Sequence, residues 1–345
     1  MGDSTVSITV HHLGLVEYAD GLELQRRFQE ARRAGTVGDS LMLLQHPPVL
    51  TLGRGAKQYN VLASPEKLRS LGVELHETDR GGDVTYHGPG QLVGYPLLYL
   101  PPGQQDVRRY VRRIEEVMIR VCAHFGIEAH REEKWPGVWT KGRKIAALGV
   151  HLSRWYTRHG FALNVQPNLT HFELIVPCGI REAGVTSMAQ ELGRAISAEE
   201  VEPLVARKFA EVFEQPIAVA PEPLRTVSVV VRRQGRVLAL KRPEAKGGFW
   251  QIVTGRIEPG ETPAQAALRE AREETGMAIE RVVPLEYEHA FTLDGPVVVR
   301  EHAFSAEAAG EPKLTEHDAY EWLEPAAAIE RMPFAGLKKA ILRAE

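Results

Sequence analysis

Residues 255–277 read GRIEPGETPAQAALREAREETGM, and the spacing within this stretch decides the fold of the last third of the chain. Thr262 followed by Pro263 marks a helix start, a hydroxyl cap before the residue best tolerated in the first turn, and Gly276 marks its stop. On that helix Glu270, Glu273 and Glu274 fall within about one turn and face the same way. Three carboxylates packed so closely call for a hard divalent cation, Mg2+ (or Mn2+). Such an ion accepts a few carboxylate oxygens and keeps the rest of its shell for water and phosphate oxygens, as cleavage of a pyrophosphate link requires. Gly255, Glu261, Arg269 and Gly276 hold the remaining fixed positions of the pattern. Arg269 is expected to orient the glutamates through charge-assisted hydrogen bonds.

Working outward, Thr226 to Val231 and Val237 to Lys241 flank Arg233-Gln234-Gly235 as a hairpin, strand character returns at Val297 to Phe304, and Pro325 to Arg343 reads as helical. Upstream, EQPIAVAPEP (214–223) holds three prolines and is expected to be a linker. It separates domains at 1–213 and 224–345. In the first of these, apolar residues recur at helical spacing from Asp106 to Phe125, with Arg and Glu on the opposite face. Strands are expected within Ser40 to Leu52, interrupted by Pro47 and Pro48, and at Gln91 to Leu100, Gly137 to Thr140, Lys144 to Ser153 and Phe161 to Val165. The order is mixed α/β.

A second constellation lies in this first part. Residues 80–96, RGGDVTYHGPGQLVGYP, place two adjacent glycines and then Gly88-Pro89-Gly90 around Tyr86 and His87, so that backbone amides approach a ligand closely. Further on come KIAALG (144–149) and VPCGI (176–180), the latter displaying a thiol between an apolar strand and a glycine turn. Cys122, on the apolar face of a helix, reads instead as a core residue. His87 is open to either a structural or an acid-base role. His124, His130, His151, His159 and His171 show no metal-ligand spacing and read as ordinary.

Over about Val6 to Phe213 these motifs resemble, in order and spacing, the lipoyl (octanoyl) transferases of the lipoate and biotin protein ligase superfamily. The resemblance implies that Cys178 is the acyl-carrying nucleophile and that Lys144 lowers its pKa. A thiolate is the reactive form, and a nearby ammonium favours it. It also implies substrate contacts at Arg80, Gly81, Gly82, Asp83, Val84, Thr85, Tyr86 and His87, at Ala147, Leu148 and Gly149, and at Gly160, Phe161 and Ala162. No cofactor is expected for this part. Its implied partners are octanoyl-acyl carrier protein, the lipoyl domains of 2-oxoacid dehydrogenases and the glycine cleavage H protein.

The stretch 255–277 resembles the Nudix box. FWQIVTG (249–255) before it and EHDAYEWL (316–323) after it are similar to the dihydroneopterin triphosphate and dATP pyrophosphatases, over about Leu224 to Leu342. That likeness implies that Glu316 completes a metal site with Glu270 and Glu274, and that the substrate is a nucleoside or pterin triphosphate. The expected architecture is a lipoate/biotin protein ligase-like mixed sheet followed by a Nudix α/β/α sandwich.

Composition limits the alternatives. The 345 residues are 43% hydrophobic and 25% charged, the profile of globular protein. With 25 basic and 26 acidic residues before Leu224, and 17 and 19 from there on, neither part is a polycation, and no nucleic acid partner is expected. Two cysteines and the lack of a signal-like or spanning apolar run fit the cytoplasm, with no membrane partner. The rival reading is an ATP-dependent lipoate-protein ligase with a nucleotide-sensing, non-hydrolytic second domain. Cys178 weighs against it, because an adenylating ligase needs no thiol.

Overall fold

Ile8 and Val10 are fully buried and Leu15 is exposed, so that β1 (Ile8–Leu15) enters the core at its start and leaves it at its end. The computed structural model describes residues 7–133, 135–176, 184–293 and 297–345, and the chain divides into two units, Met1–Glu222 and Pro223–Glu345.

In the first unit β1 is followed by α1 (Tyr18–Arg33), β2 (Ser40–Gln45), β3 (Val49–Leu52), α2 (Pro65–Ser70), β4 (Glu74–Glu77), β5 (Val84–His87) and β6 (Gln91–Leu97). Then come α3 (Val107–His124), β7 (His130–Arg131), β8 (Val138–Thr140), β9 (Arg143–Ser153), β10 (Tyr156–Asn164), α4 (Met188–Leu192), α5 (Ala198–Phe213) and β11 (Ile217–Val219). Eight of these strands form one mixed sheet in the order β11-β1-β2-β6-β10-β9-β8-β7, and β4-β3-β5 form a small second one. Pro47 and Pro48 divide the Ser40 to Leu52 run into strands of different sheets, since proline supplies no ladder donor. Helix α3 is capped by Asp106, whose carboxylate accepts the N–H groups of Arg108 and Arg109 at 2.8 and 3.1 Å. Its apolar stripe, Tyr110, Ile114, Val117, Met118 and Val121, packs with α5 and the sheet, and Cys122 lies in the same core.

In this unit one expectation needs correction and one element was not foreseen. The stretch 214–223 is not free linker throughout, because Ile217 to Val219 pair in parallel with Ile8 to Val10 as the edge strand β11. Helix α1 has no counterpart in the sequence reading. Its Gly21 suggests a break, yet a Cβ there would sit 2.9 Å from the His46 ring, so the glycine serves close packing of helix on sheet.

The second unit contains β12 (Leu224–Arg233), β13 (Arg236–Lys241), β14 (Trp250–Gln251), β15 (Val253–Arg256), α6 (Pro263–Thr275), β16 (Val283–Thr292), β17 (Val298–Glu307), β18 (Ala319–Leu323), α7 (Pro325–Arg331) and α8 (Ala335–Arg343). Its sheet runs β14-β13-β12-β17-β16, with β15 on β12 and β18 on β13. Alternation along β12 sends Val227, Val229 and Val231 against Ala266, Ala267 and Ala271 of α6. Val230 on the other face packs with Ala328, Leu337 and Ile341 of α7 and α8, which completes a three-layer sandwich. The closing helical segment is two helices rather than one, broken at Met332, whose φ of −71° and ψ of 132° are extended.

Candidate functional sites

In the first unit β5, β6, β9 and β10 surround a cavity. Arg80, Gly82, Asp83, Val84, Thr85 and His87 line it from one side, and Lys144, Ala147, Leu148, Gly149, Gly160, Phe161 and Ala162 from the other. Of the contacts implied by resemblance, Gly81 and Tyr86 are not brought to it. Tyr86 alternates to the opposite face of β5, where its ring packs edge-on to Phe172 and its hydroxyl lies 2.9 Å from His171 Nδ1. Gly81 instead donates its N–H to Val150 O at 2.9 Å, fastening the loop to β9.

Arg80 is a fixed cation in this wall. Its guanidinium donates to the Thr51 carbonyl at 2.6 Å and to the Thr51 hydroxyl at 2.8 Å. His87 lies beside it, and burial foremost pushes its pKa down to about 3. The Gln91 Oε1 atom, 2.6 Å from His87 Nδ1, can only accept, so the proton sits on Nδ1 and Nε2 presents a lone pair. Gln91 is held in turn by Asn164 at 2.9 Å.

Lys144 is 7% exposed, with Nζ 4.8 Å from the centre of the Trp139 ring. Its backbone is tied to the chain that follows residue 183, through Lys144 N–H to Gly184 O and Thr186 N–H to Lys144 O, each 3.0 Å. On the other side of that segment, Val176 N–H donates to Asn60 O at 2.7 Å. Cys178 lies outside the described residues. Cys122 is fully buried, and burial pushes its thiol up to about 12, so it is inert at neutral pH.

Four residues of this wall were not found by sequence reasoning, the apolar Val93 among them. Tyr18 and Tyr95 both line the cavity. The Tyr95 hydroxyl donates to His46 Nε2 at 2.7 Å, while His46 Nδ1 donates to Val16 O at 2.6 Å. Full burial keeps that imidazole neutral, its pKa pushed down to about 4. The fourth is His159, read as ordinary. It adopts φ 55°, a conformation rare outside glycine, with its N–H held by Gln25 Oε1 at 2.6 Å and its Nε2 2.7 Å from Asp79 Oδ1. That hydrogen bond, with Arg158 beside it, holds the Asp79 carboxyl well below the usual carboxylate range. The HGFALN stretch pointed to Gly160, Phe161 and Ala162 but carried no mark of a role for His159 itself.

The second unit brings its acidic residues to a different cavity, lined by Glu270, Glu273, Glu274 and Glu316 with Arg242, Lys246, Gln251, Thr254, Thr315 and His317. Thr262 and Gln265 form a reciprocal capping box at the start of α6, and Gly276 ends the helix at φ 62°. Arg269 reaches Glu261 at 2.8 Å, Glu270 at 2.7 Å and Glu273 at 3.2 Å. The same arginine foremost holds the Glu261 carboxyl down, at about 2. Glu274 differs from its neighbours. Its Oε2 is buried with no hydrogen-bond partner among the described residues, and burial followed by the charge of Glu270 pushes its pKa up to about 8. Gly255 makes room for this arrangement, since a Cβ there would lie 1.8 Å from the Glu270 carboxyl carbon.

Among the described residues no three acidic or imidazole groups already converge as a metal cage. Arg269 draws Glu270 and Glu273 to itself, and Lys246 draws Glu316 at 3.0 Å. The donor set nonetheless fits a hard cation. It is all oxygen, and the orphaned buried oxygen of Glu274 is the atom such an ion would satisfy. No helix among the described residues is long and apolar enough to cross a membrane.

Comparison with known proteins divides the chain in the same way. Residues 17–210 match the family described as Lipoyl protein ligase A/B catalytic domain, and residues 222–344 match the NUDIX domain. A protein of Myxococcus xanthus named octanoyltransferase is 53% identical over 98% of this chain and 99% of its own length. An octanoyltransferase of Acidobacterium capsulatum is 52% identical, over 59% of this chain and 88% of its own length. Among solved structures, lipoate-protein ligase A bound with ATP superposes at a TM-score of 0.52 and 16% identity, covering 63% of this chain and 90% of that one. This last likeness is one of fold.

Proposed function

The chain belongs to the lipoyl protein ligase A/B family, as an acyltransferase joined to a NUDIX domain, and from that premise we propose that its first unit moves an octanoyl group from acyl carrier protein to a lysine of a lipoyl domain. The observation that carries this reading is the position of Lys144. It is a buried cation at the edge of a cavity with apolar walls, and its backbone is hydrogen-bonded to the residues that follow the Cys178 segment.

In this reading the Cys178 thiolate attacks the carbonyl carbon of octanoyl-acyl carrier protein. The bond to the carrier's sulfur breaks, and the carrier leaves as a thiol with the proton taken from Cys178. The acceptor's lysine amine then attacks the new thioester, the C–N bond forms as the bond to Cys178 breaks, and the amine proton returns to the cysteine sulfur. Lys144 favours the thiolate in both steps. Thioester to thioester to amide runs downhill, so ATP is not consumed. Val93, Leu148 and Phe161 receive the acyl chain, and Arg80 with the neutral His87 holds the polar end. The reaction belongs to a reducing compartment, the cytoplasm.

For the second unit we propose metal-dependent hydrolysis of a nucleoside or pterin triphosphate. Glu270, Glu273, Glu274 and Glu316 would hold Mg2+ or Mn2+, which supplies charge neutralisation at the phosphate oxygens and an acidified water. Arg242 and Lys246 in the same wall offer cations to the phosphates, and Arg269 keeps the glutamates in place.

Intact-mass measurement of a lipoyl domain incubated with the full-length protein and octanoyl-acyl carrier protein, without ATP, tests the transferase. Wild type should octanoylate the acceptor and Cys178→Ala should not. Transfer only from free octanoate and only with ATP would overturn the thiol route.

A further inference from the structure

Two cations hold the carboxylates of the acidic cavity, and they stand differently. Arg269 binds Glu270 and Glu273 but is not among the residues that line the cavity, whereas Lys246 binds Glu316 at 3.0 Å and lines the cavity itself. Glu316 is fixed by the chain on either side of it. Thr315 donates its hydroxyl to the Glu273 carbonyl on α6 at 3.1 Å, and Asp318 donates its N–H to the Lys241 carbonyl on β13 at 2.9 Å.

The loop that carries Lys246 between β13 and β14 is closed on itself. Arg242 N–H donates to Phe249 O at 3.0 Å, and the N–H groups of Lys246 and Gly248 both donate to Pro243 O, at 2.8 and 3.1 Å. Gly247 and Gly248 make the return to β14 at φ 105° and 66°, a region glycine enters without steric cost. A lysine meant only to fasten this loop would therefore add little. What is left to move is its four-carbon stem. The Lys246 side chain is 49% exposed and that of Glu316 65%, and an ion pair so open to water holds its partners weakly. Beside it, the buried Oε2 of Glu274 has no hydrogen-bond partner among the described residues. Lys246 thus neutralises the outermost carboxylate and leaves the buried one unserved.

We propose that Lys246 is a built-in competitor for the divalent cation, an ammonium that holds Glu316 until the ion takes that carboxylate over and then turns to the phosphates. On the metal-dependent hydrolase reading of this cavity, on which this rests, Glu316 goes to the ion and Lys246 to the phosphates. Both ligands break the same pair, so each favours the binding of the other.

Titration of the full-length protein with Mn2+, the free ion counted by electron paramagnetic resonance, tests it. Lys246→Gln should tighten Mn2+ binding about two- to fivefold, the range over which an exposed pair can hold a carboxylate back. In a Glu316→Gln background the same change should alter affinity by less than about 1.5-fold, because the guarded carboxylate is gone. Arg242→Gln removes an equal charge from the same cavity wall, and Arg242 forms no ion pair with Glu316 among the described residues. It should tighten binding less than Lys246→Gln does, and this comparison decides should Glu316→Gln bind no Mn2+. Equal gains from the two variants, or none from Lys246→Gln, would overturn the proposal. With Mn2+ saturating, Lys246→Gln should bind inorganic phosphate at least about threefold more weakly than wild type, and equal binding would overturn the handover. Absence of Mn2+ binding in wild type and in every variant would remove the metal reading and the competitor together, whereas Mn2+ binding indifferent to Lys246 removes the competitor alone.

Discussion

The carbonyl of Lys144 accepts the N–H of Thr186 at 3.0 Å, so the chain returning from the cysteine-bearing segment is stitched to the backbone of the residue expected to activate that cysteine. Thr186 is pinned further by Glu191 at 2.6 Å, which also binds Arg143 at 2.6 Å and Lys141 at 3.1 Å. The anchorage uses backbone atoms of Lys144, and the proposed chemistry uses its side chain. Lys144→Ala should therefore lower acyl transfer by about 100- to 10,000-fold. Its stability cost should include the lost contact with Trp139, about 0.5–2 kcal/mol. Transfer kinetics and thermal melts of one preparation check both, and near wild-type transfer would remove Lys144 from the mechanism.

Acid should weaken the first unit well before its carboxylates titrate. His11, His46 and His87 are held neutral by burial, with pKa values pushed down to about 4, 4 and 3. The unfolded chain takes up protons below about pH 6.5 where the folded one does not, so stability is present above that value and is lost as the pH falls toward 4. The melting temperature should drop between pH 7 and pH 5. A flat profile over that interval would contradict neutral burial of these imidazoles.

Glu274 gives the opposite sign. Its pKa is raised to about 8, so the folded chain keeps a proton that the unfolded one releases near 4.5, and stability falls as the pH rises between those values. Glu274→Gln should raise the transition of the second unit by at least about 4 °C at pH 8, the shift that ~1 kcal/mol produces in a small domain, with little change at pH 4.5. Mg2+ should stabilise wild type and not the variant. Melts at the two pH values, with and without the ion, decide it.

Gly255→Ala should abolish hydrolysis, because the added methyl would occupy the place of the Glu270 carboxyl. Overpacking of this kind costs about 1–3 kcal/mol, so the variant should fold. Phosphate release measured beside a melt separates lost chemistry from lost structure.

The sequence made α6 legible because its cap, its stop and its carboxylate spacing are all local, and Thr262, Gly276 and Glu270 to Glu274 stand where those signals put them. Cavity residues from Arg80 to Ala162 were implied by the family resemblance, which names positions without saying which way a side chain points. Tyr86 shows the limit, since strand alternation carries it away from the cavity while His87 stays. His159 was illegible for a different reason. Its partners Gln25 and Asp79 lie far off in sequence, and a left-handed conformation at a histidine leaves no mark in composition. The short strand β11 was hidden by its prolines, because only the free edge of β1 gives Ile217 to Val219 a partner.

That edge strand dictates where the chain can be cut. A fragment stopping at Phe213 would strip Ile8, Thr9 and Val10 of their parallel neighbour, together with the bonds from Ile8 N–H to Pro216 O and from Ala220 N–H to Val10 O. The bared edge would be a template for sticking to other copies. Scissors aimed at isolating the transferase belong between Ala220 and Leu224, after the last stitch to β1 and before the first residue of β12.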